Sequence, residues 1–76
     1  MSNLSALEGL ALVEGAISNL KKEDYSGTRY FAVDPREETL LQIEANNLDP
    51  EQMNIGGYLY RAEFDDKGNY SVTLVV

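Results

Sequence analysis

The sequence predicts a small α+β domain in which an N-terminal helix packs on one face of a four-stranded antiparallel meander. Three observations lead to this fold: an apolar stripe with helical spacing before Lys22, a hairpin pattern from Tyr58 to Val76, and strand-like alternation between them. The alternative is an α-β-α-β-β arrangement with a three-stranded sheet. With 76 residues, the chain is expected to form a single domain spanning residues 1–76.

The first predicted element is a helix from about Ser2 to Lys22. Ser5 and Glu8 have the spacing of a capping box, in which each side chain bonds the other residue's backbone N–H. With about 100° of rotation per residue, one apolar stripe faces the sheet, formed by Ala6, Leu10, Val13, Ile17 and Leu20. Other leucines lie outside that stripe, namely Leu4, Leu7 and Leu12. The helix therefore carries more apolar surface than one contact with a sheet uses.

The middle of the chain allows two interpretations. Thr28 to Val33 is rich in β-branched and aromatic residues and predicts the first strand. Asp34-Pro35-Arg36-Glu37 is typical of a helix start, but a helix over 35–47 would project glutamates into its apolar face. As a strand, the segment alternates cleanly, with Leu41, Ile43 and Ala45 opposite Leu40, Gln42 and Glu44. We prefer the strand, with Asp34 to Glu38 as a turn.

The segment from Asn46 to Gly57 is predicted as a loop containing one helical turn that Asp49-Pro50 begins and Met53 continues. The final hairpin follows. Asp65 to Asn69 fits a three-residue loop in which Gly68 takes the left-handed conformation. Counting outward gives one mostly apolar face, which pairs Phe64 with Tyr70, Ala62 with Val72, Tyr60 with Leu74 and Tyr58 with Val76. The opposite face pairs Glu63 with Ser71, Arg61 with Thr73 and Leu59 with Val75.

Composition restricts the chemistry. The chain has no cysteine and no histidine, so disulfides and thiolate or imidazole metal sites are excluded, and we expect no cofactor and no metal. The net charge of −7 disfavours direct contact with nucleic acid or an anionic membrane and favours basic protein partners. No secretory or membrane-spanning pattern occurs in the sequence, which leads us to expect a cytoplasmic protein.

Acidic residues are expected to gather at one end of the sheet. In an up-and-down strand order, the first and third turns lie at the same end and bring together Asp34, Glu37, Glu38, Asp65 and Asp66. Such an acidic pole would suit a basic partner surface, including a protein that itself binds nucleic acid. The alternative is that hairpin turns are polar because they face water.

The last strand is the second candidate binding surface. Tyr70 to Val76 contains no charge, proline or glycine, and it lies at the sheet edge in the simplest strand order. We expect this edge to pair either with a second copy in an antiparallel homodimer or with a partner's strand. On the outer face, Leu59, Thr73 and Val75 would contribute, extended by Leu40 and Tyr30. The alternative is that the helix or the first strand covers the edge.

Together these patterns favour a non-catalytic, acidic interaction protein, a small regulator or inhibitor that binds and blocks a partner's surface. The alternative is a small enzyme or ligand-binding domain that uses carboxylates and tyrosines at a dimer interface. A pocket lined by tyrosine together with aspartate or glutamate would favour that alternative.

Overall fold

The computed structural model describes residues 3–44, 49–54 and 56–75. Its elements run in the order α1 (Ala6–Lys22), β1 (Gly27–Asp34), β2 (Thr39–Glu44), α2 (Pro50–Met53), β3 (Tyr58–Phe64) and β4 (Tyr70–Leu74). The strands form one antiparallel sheet, and α1 packs on one of its faces, which we call the helix side. The opposite face is called the outer face. The predicted α+β fold, a helix on a four-stranded antiparallel sheet, is confirmed.

The N-terminal helix begins where its capping signal lies. The Ser5 hydroxyl accepts a hydrogen bond from the Glu8 N–H, and the Glu8 carboxylate accepts one from the Ser5 N–H. The predicted stripe contributes the buried residues Val13, Ile17 and Leu20, and Ala16 is buried beside it. They pack on side chains from the two central strands, namely Phe31, Val33, Tyr60, Ala62 and Phe64. The main core therefore lies between α1 and strands β1 and β3.

The segment 39–44 is a strand, so the helical alternative is wrong there. The residues that resemble a helix start close a turn instead, because the Asp34 carboxylate accepts hydrogen bonds from the backbone N–H groups of Arg36 and Glu37. Glu38 completes the reversal with a left-handed φ of 54°. Local capping chemistry is thus satisfied without a helix, and the strand periodicity decides the structure. The predicted turn of helix before β3 is confirmed as α2.

The C-terminal hairpin has the predicted register throughout the described residues. Phe64 pairs with Tyr70 and Tyr60 with Leu74, and Gly68 is left-handed, with φ 88°. The Val75 N–H donates to the Leu59 carbonyl, which continues the pairing beyond β4. Val76, the predicted partner of Tyr58, lies outside the described residues.

The strand order differs from the simple up-and-down order. It is β2-β1-β3-β4, so β3 pairs with β1 and not with β2. Between β2 and β3, α2 places the buried Met53 on the outer face against Ala32 and Leu59. Burying that methionine across β1 and β3 stabilises their neighbouring positions. β4 lies at a sheet edge, as predicted.

A candidate protein-binding edge and groove

The predicted single acidic pole is wrong. Val33 at the end of β1 pairs with Tyr58 at the start of β3, and Gly27 at the start of β1 pairs with Phe64 at the end of β3. The β1–β2 and β3–β4 turns therefore lie at opposite ends of the sheet. One end carries Asp34, Glu37 and Glu38, and the other carries Asp65 and Asp66. The strand order therefore separates the acidic residues of the two turns, which an up-and-down sheet would have placed at one end.

Two of these five carboxylates have structural roles. Asp34 caps its turn as described above, and Asp65 accepts hydrogen bonds from the backbone N–H groups of Lys67 and Asn69. These hydrogen bonds, led by the one from Asn69, lower the pKa of the Asp65 carboxyl. The other three, Glu37, Glu38 and Asp66, are exposed. Only these three can be neutralised without removing a turn contact.

The outer face supplies only part of the contact that was predicted beside the β4 edge. Leu59 is fully buried beneath Met53, and Val75 is half-buried against the same cluster. Leu40 belongs to the helix side, where it packs against the main core. Thr73 is exposed on the outer face. Of the apolar residues predicted to contact a partner on this face, Leu59 is buried and Leu40 lies on the opposite face.

None of the residues that the structure describes pairs with the outer edge of β4, so this edge presents unpaired backbone groups. The Asp65 N–H bonds the Asn69 carbonyl and the Val75 N–H bonds the Leu59 carbonyl, which fixes the phase of the antiparallel ladder. Inward-facing backbone groups then belong to Ser71, Thr73 and Val75. Outward-facing N–H and C=O groups belong to Tyr70, Val72 and Leu74. An added strand would bond these three residues.

Beside this edge lies an apolar groove on the helix side. Because α1 lies over β1 and β3, it covers the helix side of β4 only in part: Val72 is half-buried against the main core, whereas Leu74 is exposed. The side chain of Leu7 is 77% exposed and that of Leu74 is 48% exposed. We call this depression of about 230 Å³ the β4 groove; it is lined by Ala6, Leu7, Leu10, Tyr60, Val72 and Leu74. The signal in the sequence was the leucine excess outside the helical stripe.

Two tyrosines hold the helix beside the groove. The buried Tyr60 donates its hydroxyl hydrogen to the Ala6 carbonyl, and Tyr58 donates to the Leu4 carbonyl. Burial, with a smaller contribution from Tyr58, raises the pKa of Tyr60. The neutral phenol is the form that makes the bond to the helix. These contacts position the first turn of α1, and with it Leu7.

The other sheet edge has a different chemistry. The same ladder phase carried across β3 and β1 turns the backbone groups of Leu40, Gln42 and Glu44 outward on β2. Arg29 donates to the Gln42 side chain and lies 3.8 Å from the Glu44 carboxylate. Charged side chains on an edge strand disfavour pairing with another chain. β2 thus resembles a protected edge, whereas β4 carries no charged residue.

Pockets containing tyrosine and carboxylates also occur, as the enzyme alternative requires. An open depression of about 350 Å³ is lined by Glu63, Phe64, Asp65, Asn69, Tyr70 and Ser71. Its Asp65 carboxylate is engaged in the turn and its pKa is lowered, which moves it away from proton transfer near neutral pH. Within residues 3–44, 49–54 and 56–75, no cluster of three acidic side chains is arranged to hold a metal ion.

Comparison with known proteins gives no relative: no family model, curated protein or solved structure matches the chain. Among the helices that the structure describes, none has the length and apolar character needed to cross a membrane.

Proposed function

We propose that this chain is a non-catalytic, cytoplasmic interaction protein that regulates or inhibits a protein partner by covering part of its surface. The observation that carries the proposal is the uncharged, unpaired edge of β4 lying directly beside the apolar β4 groove. Edge and groove together offer main-chain hydrogen bonds and an apolar contact, the two components of recognition by strand addition.

The groove supplies the apolar part of the contact. Large exposed side chains that lie together on a small protein are more informative than scattered ones, and Leu7 and Leu74 line one depression. A partner side chain inserted between them would remove both from water. Covering a leucine fully contributes about 1.5–3 kcal/mol. That is enough for one such residue to decide whether a partner is retained.

Charge supplies the second part of the proposal. The net charge of −7 favours a partner whose contact region is bordered by basic residues. With the acidic turns at opposite ends of the sheet, the exposed carboxylates Glu37, Glu38 and Asp66 would act at the rim of an interface and not as its centre. Rim charges mainly accelerate association and are screened by salt.

The test begins with affinity capture on the immobilised chain from extracts of its native host. The captured protein is then purified and titrated against the wild type and two matched variants, Leu7→Gln in the β4 groove and Leu41→Gln on the outer face of β2. Both leucines are at least half exposed, so both variants should keep the fold. We expect Leu7→Gln to weaken binding about tenfold or more, and Leu41→Gln to bind like the wild type.

Two further variants measure the charged contribution. Glu37→Gln combined with Glu38→Gln neutralises one end of the sheet, and Asp66→Asn neutralises part of the other; Asp34 and Asp65 stay because they hold their turns. We expect smaller losses of affinity from these variants, together with a flatter salt dependence. Equal binding by Leu7→Gln and Leu41→Gln, or chemical turnover of the captured molecule, would rule out the proposal.

A further inference from the structure

The free edge of β4 is complementary to itself. Its outward backbone groups belong to alternate residues, with Val72 in the middle and Tyr70 and Leu74 at equal distances on either side. A second copy of this strand can be placed beside it by a two-fold axis that passes between the two Val72 residues. Every outward N–H then faces a carbonyl of the other copy. Resting on the role proposed above for this edge, we propose that its occupant is a second copy of this chain, paired antiparallel about Val72.

This pairing satisfies all the outward backbone groups of the strand. Val72 exchanges two hydrogen bonds with the partner's Val72, and each Tyr70 exchanges two with the partner's Leu74, which gives about six in total. The two-fold axis is perpendicular to the sheet, so both copies present the helix side in the same direction. The product is a continuous eight-stranded sheet with two helices on one face.

Side chains on both faces of the pairing strands fit this arrangement. On the helix side, Tyr70 lies beside the partner's Leu74, and these are the exposed apolar side chains of the strand. On the outer face, Ser71 lies beside the partner's Thr73, and hydroxyl side chains at opposed positions can bond each other. Tyr70–Leu74 contains no charged residue, and on the helix side the Lys21 ammonium lies over the Tyr70 ring, 5.3 Å from its centroid.

The helices leave room for the second copy. Each α1 lies over β1 and β3, about two strand spacings from the two-fold axis, so the two helix axes are about 19 Å apart. Packed helices lie about 8–10 Å apart, and therefore the helices do not collide. An apolar floor formed by the β4 strands of both copies stays open between them. A second copy and a partner's strand therefore compete for the outward backbone groups of β4, whereas the apolar floor stays available to a partner in the dimer.

Charge distinguishes this occupant from a basic partner. Each copy carries a net charge of −7, so two copies repel one another at long range while their pairing strands are uncharged. Added salt screens that repulsion and should strengthen the dimer. Binding of a basic partner should instead weaken as salt is added.

The experiment is sedimentation equilibrium of the full chain from micromolar to millimolar concentration, at low and high salt. We expect the mass to rise from 8.5 kDa towards about twice that value, and to do so at lower concentration when salt is added. Val72→Pro removes an outward N–H from each copy, and Gln42→Pro removes the matching group from the β2 edge. We expect Val72→Pro to raise the dimer dissociation constant at least about tenfold and Gln42→Pro to leave it unchanged.

A second variant guards against a folding defect. Leu74 is about half exposed, so Leu74→Glu should leave the monomer folded while placing a carboxylate beside the partner's Tyr70, and it should also abolish the dimer. A mass of 8.5 kDa at millimolar concentration, or dimers unaffected by both β4 variants, overturns the self-pairing.

The dimer and the interaction role can each be refuted without refuting the other. A monomeric chain whose Leu7→Gln variant still loses its captured partner refutes the dimer and leaves the interaction role supported. A chain that dimerises through β4, but whose Leu7→Gln and Leu41→Gln variants bind the captured protein equally, refutes the interaction role through the groove and leaves the dimer supported.

Discussion

Replacing Gly57 by alanine should disrupt the junction on which the strand order depends. A β-carbon at this position would lie 2.1 Å from the Val33 carbonyl oxygen and 2.6 Å from Cδ of Pro35. Both atoms belong to the end of β1 and its turn, and the closer one is backbone, so no side-chain rotation relieves the overlap. The φ of Gly57 is not in the left-handed region, and the requirement for glycine is therefore steric.

The expected loss of stability in Gly57→Ala follows from overpacking against a central strand. Extra carbon atoms forced into well-packed positions cost about 1–3 kcal/mol, and an overlap with backbone should reach the upper part of that range. For a domain of this size, each 1 kcal/mol lowers the melting temperature by about 4–8 °C. We therefore expect Gly57→Ala to melt about 10–20 °C below the wild type. Thermal and urea unfolding followed by circular dichroism would measure the change.

Gly15→Ala is the matched control. Gly15 lies within α1, and a β-carbon there meets no atom within 4 Å. Because glycine loses more backbone freedom than alanine when a helix forms, this substitution should stabilise the protein by about 0.5–1 kcal/mol. A Gly57→Ala protein as stable as the wild type, or a destabilised Gly15→Ala protein, would contradict the close approach of β3 to the end of β1.

Three other perturbations probe the contacts around the site. Because the pKa of Tyr60 is raised, its contribution to stability is complete below pH 10.0 and is lost as the pH rises through the folded-state pKa. Tyr60→Phe should lower the free energy of unfolding by about 1 kcal/mol at neutral pH. In urea unfolding, the stability of this variant should also fall less at alkaline pH than that of the wild type. Because the pKa of Asp65 is lowered, its turn contacts stabilise the fold above pH 3.8 and are lost as the pH falls through the folded-state pKa. In an NMR titration, the Asp65 carboxyl should change its signal below pH 3.8, and the signal of the Asn69 amide should change over the same pH range. Met53→Ala should cost about 2 kcal/mol or more in urea unfolding, because this side chain is the buried cover of the outer face.

Each of these has a result that would contradict it. An alkaline decline identical in the wild type and Tyr60→Phe would mean that the phenol does not support the helix. Titration of Asp65 at or above 3.8 would mean that the turn does not depend on its carboxylate. If Met53→Ala unfolded at the same urea concentration as the wild type, packing of Met53 would not stabilise the outer face. The control is Leu41→Ala, at a half-exposed position of the same face.

Local sequence information accounts for most elements of the fold. The register of the last hairpin follows from Asp65 and Gly68, because a turn of fixed length sets every cross-strand pair. The first helix follows from its capping box and its apolar stripe. Strand β2 follows from alternation, since the Asp34 carboxylate bonds turn N–H groups as readily as those of a helix.

Strand order could not be predicted from such patterns. Alternating residues in β3 would look the same beside β1 or beside β2, and the choice depends on long-range packing. Here the deciding contacts are Met53 on the outer face and Gly57 against Val33, both of which join segments distant in sequence. The acidic pole was wrong for this reason, whereas the β4 edge was predicted because β4 ends the sheet in either order.

Amide hydrogen exchange of β4 tests the central claim most directly, namely that its outward edge is a binding surface. In dilute protein, the N–H groups of Tyr70, Val72 and Leu74 should exchange rapidly and those of Ser71 and Thr73 slowly. We expect protection of the three outward amides to rise with protein concentration or on addition of the captured partner, while the outward amides of β2 stay unchanged. Constant exchange at Tyr70, Val72 and Leu74 under all these conditions would contradict the claim.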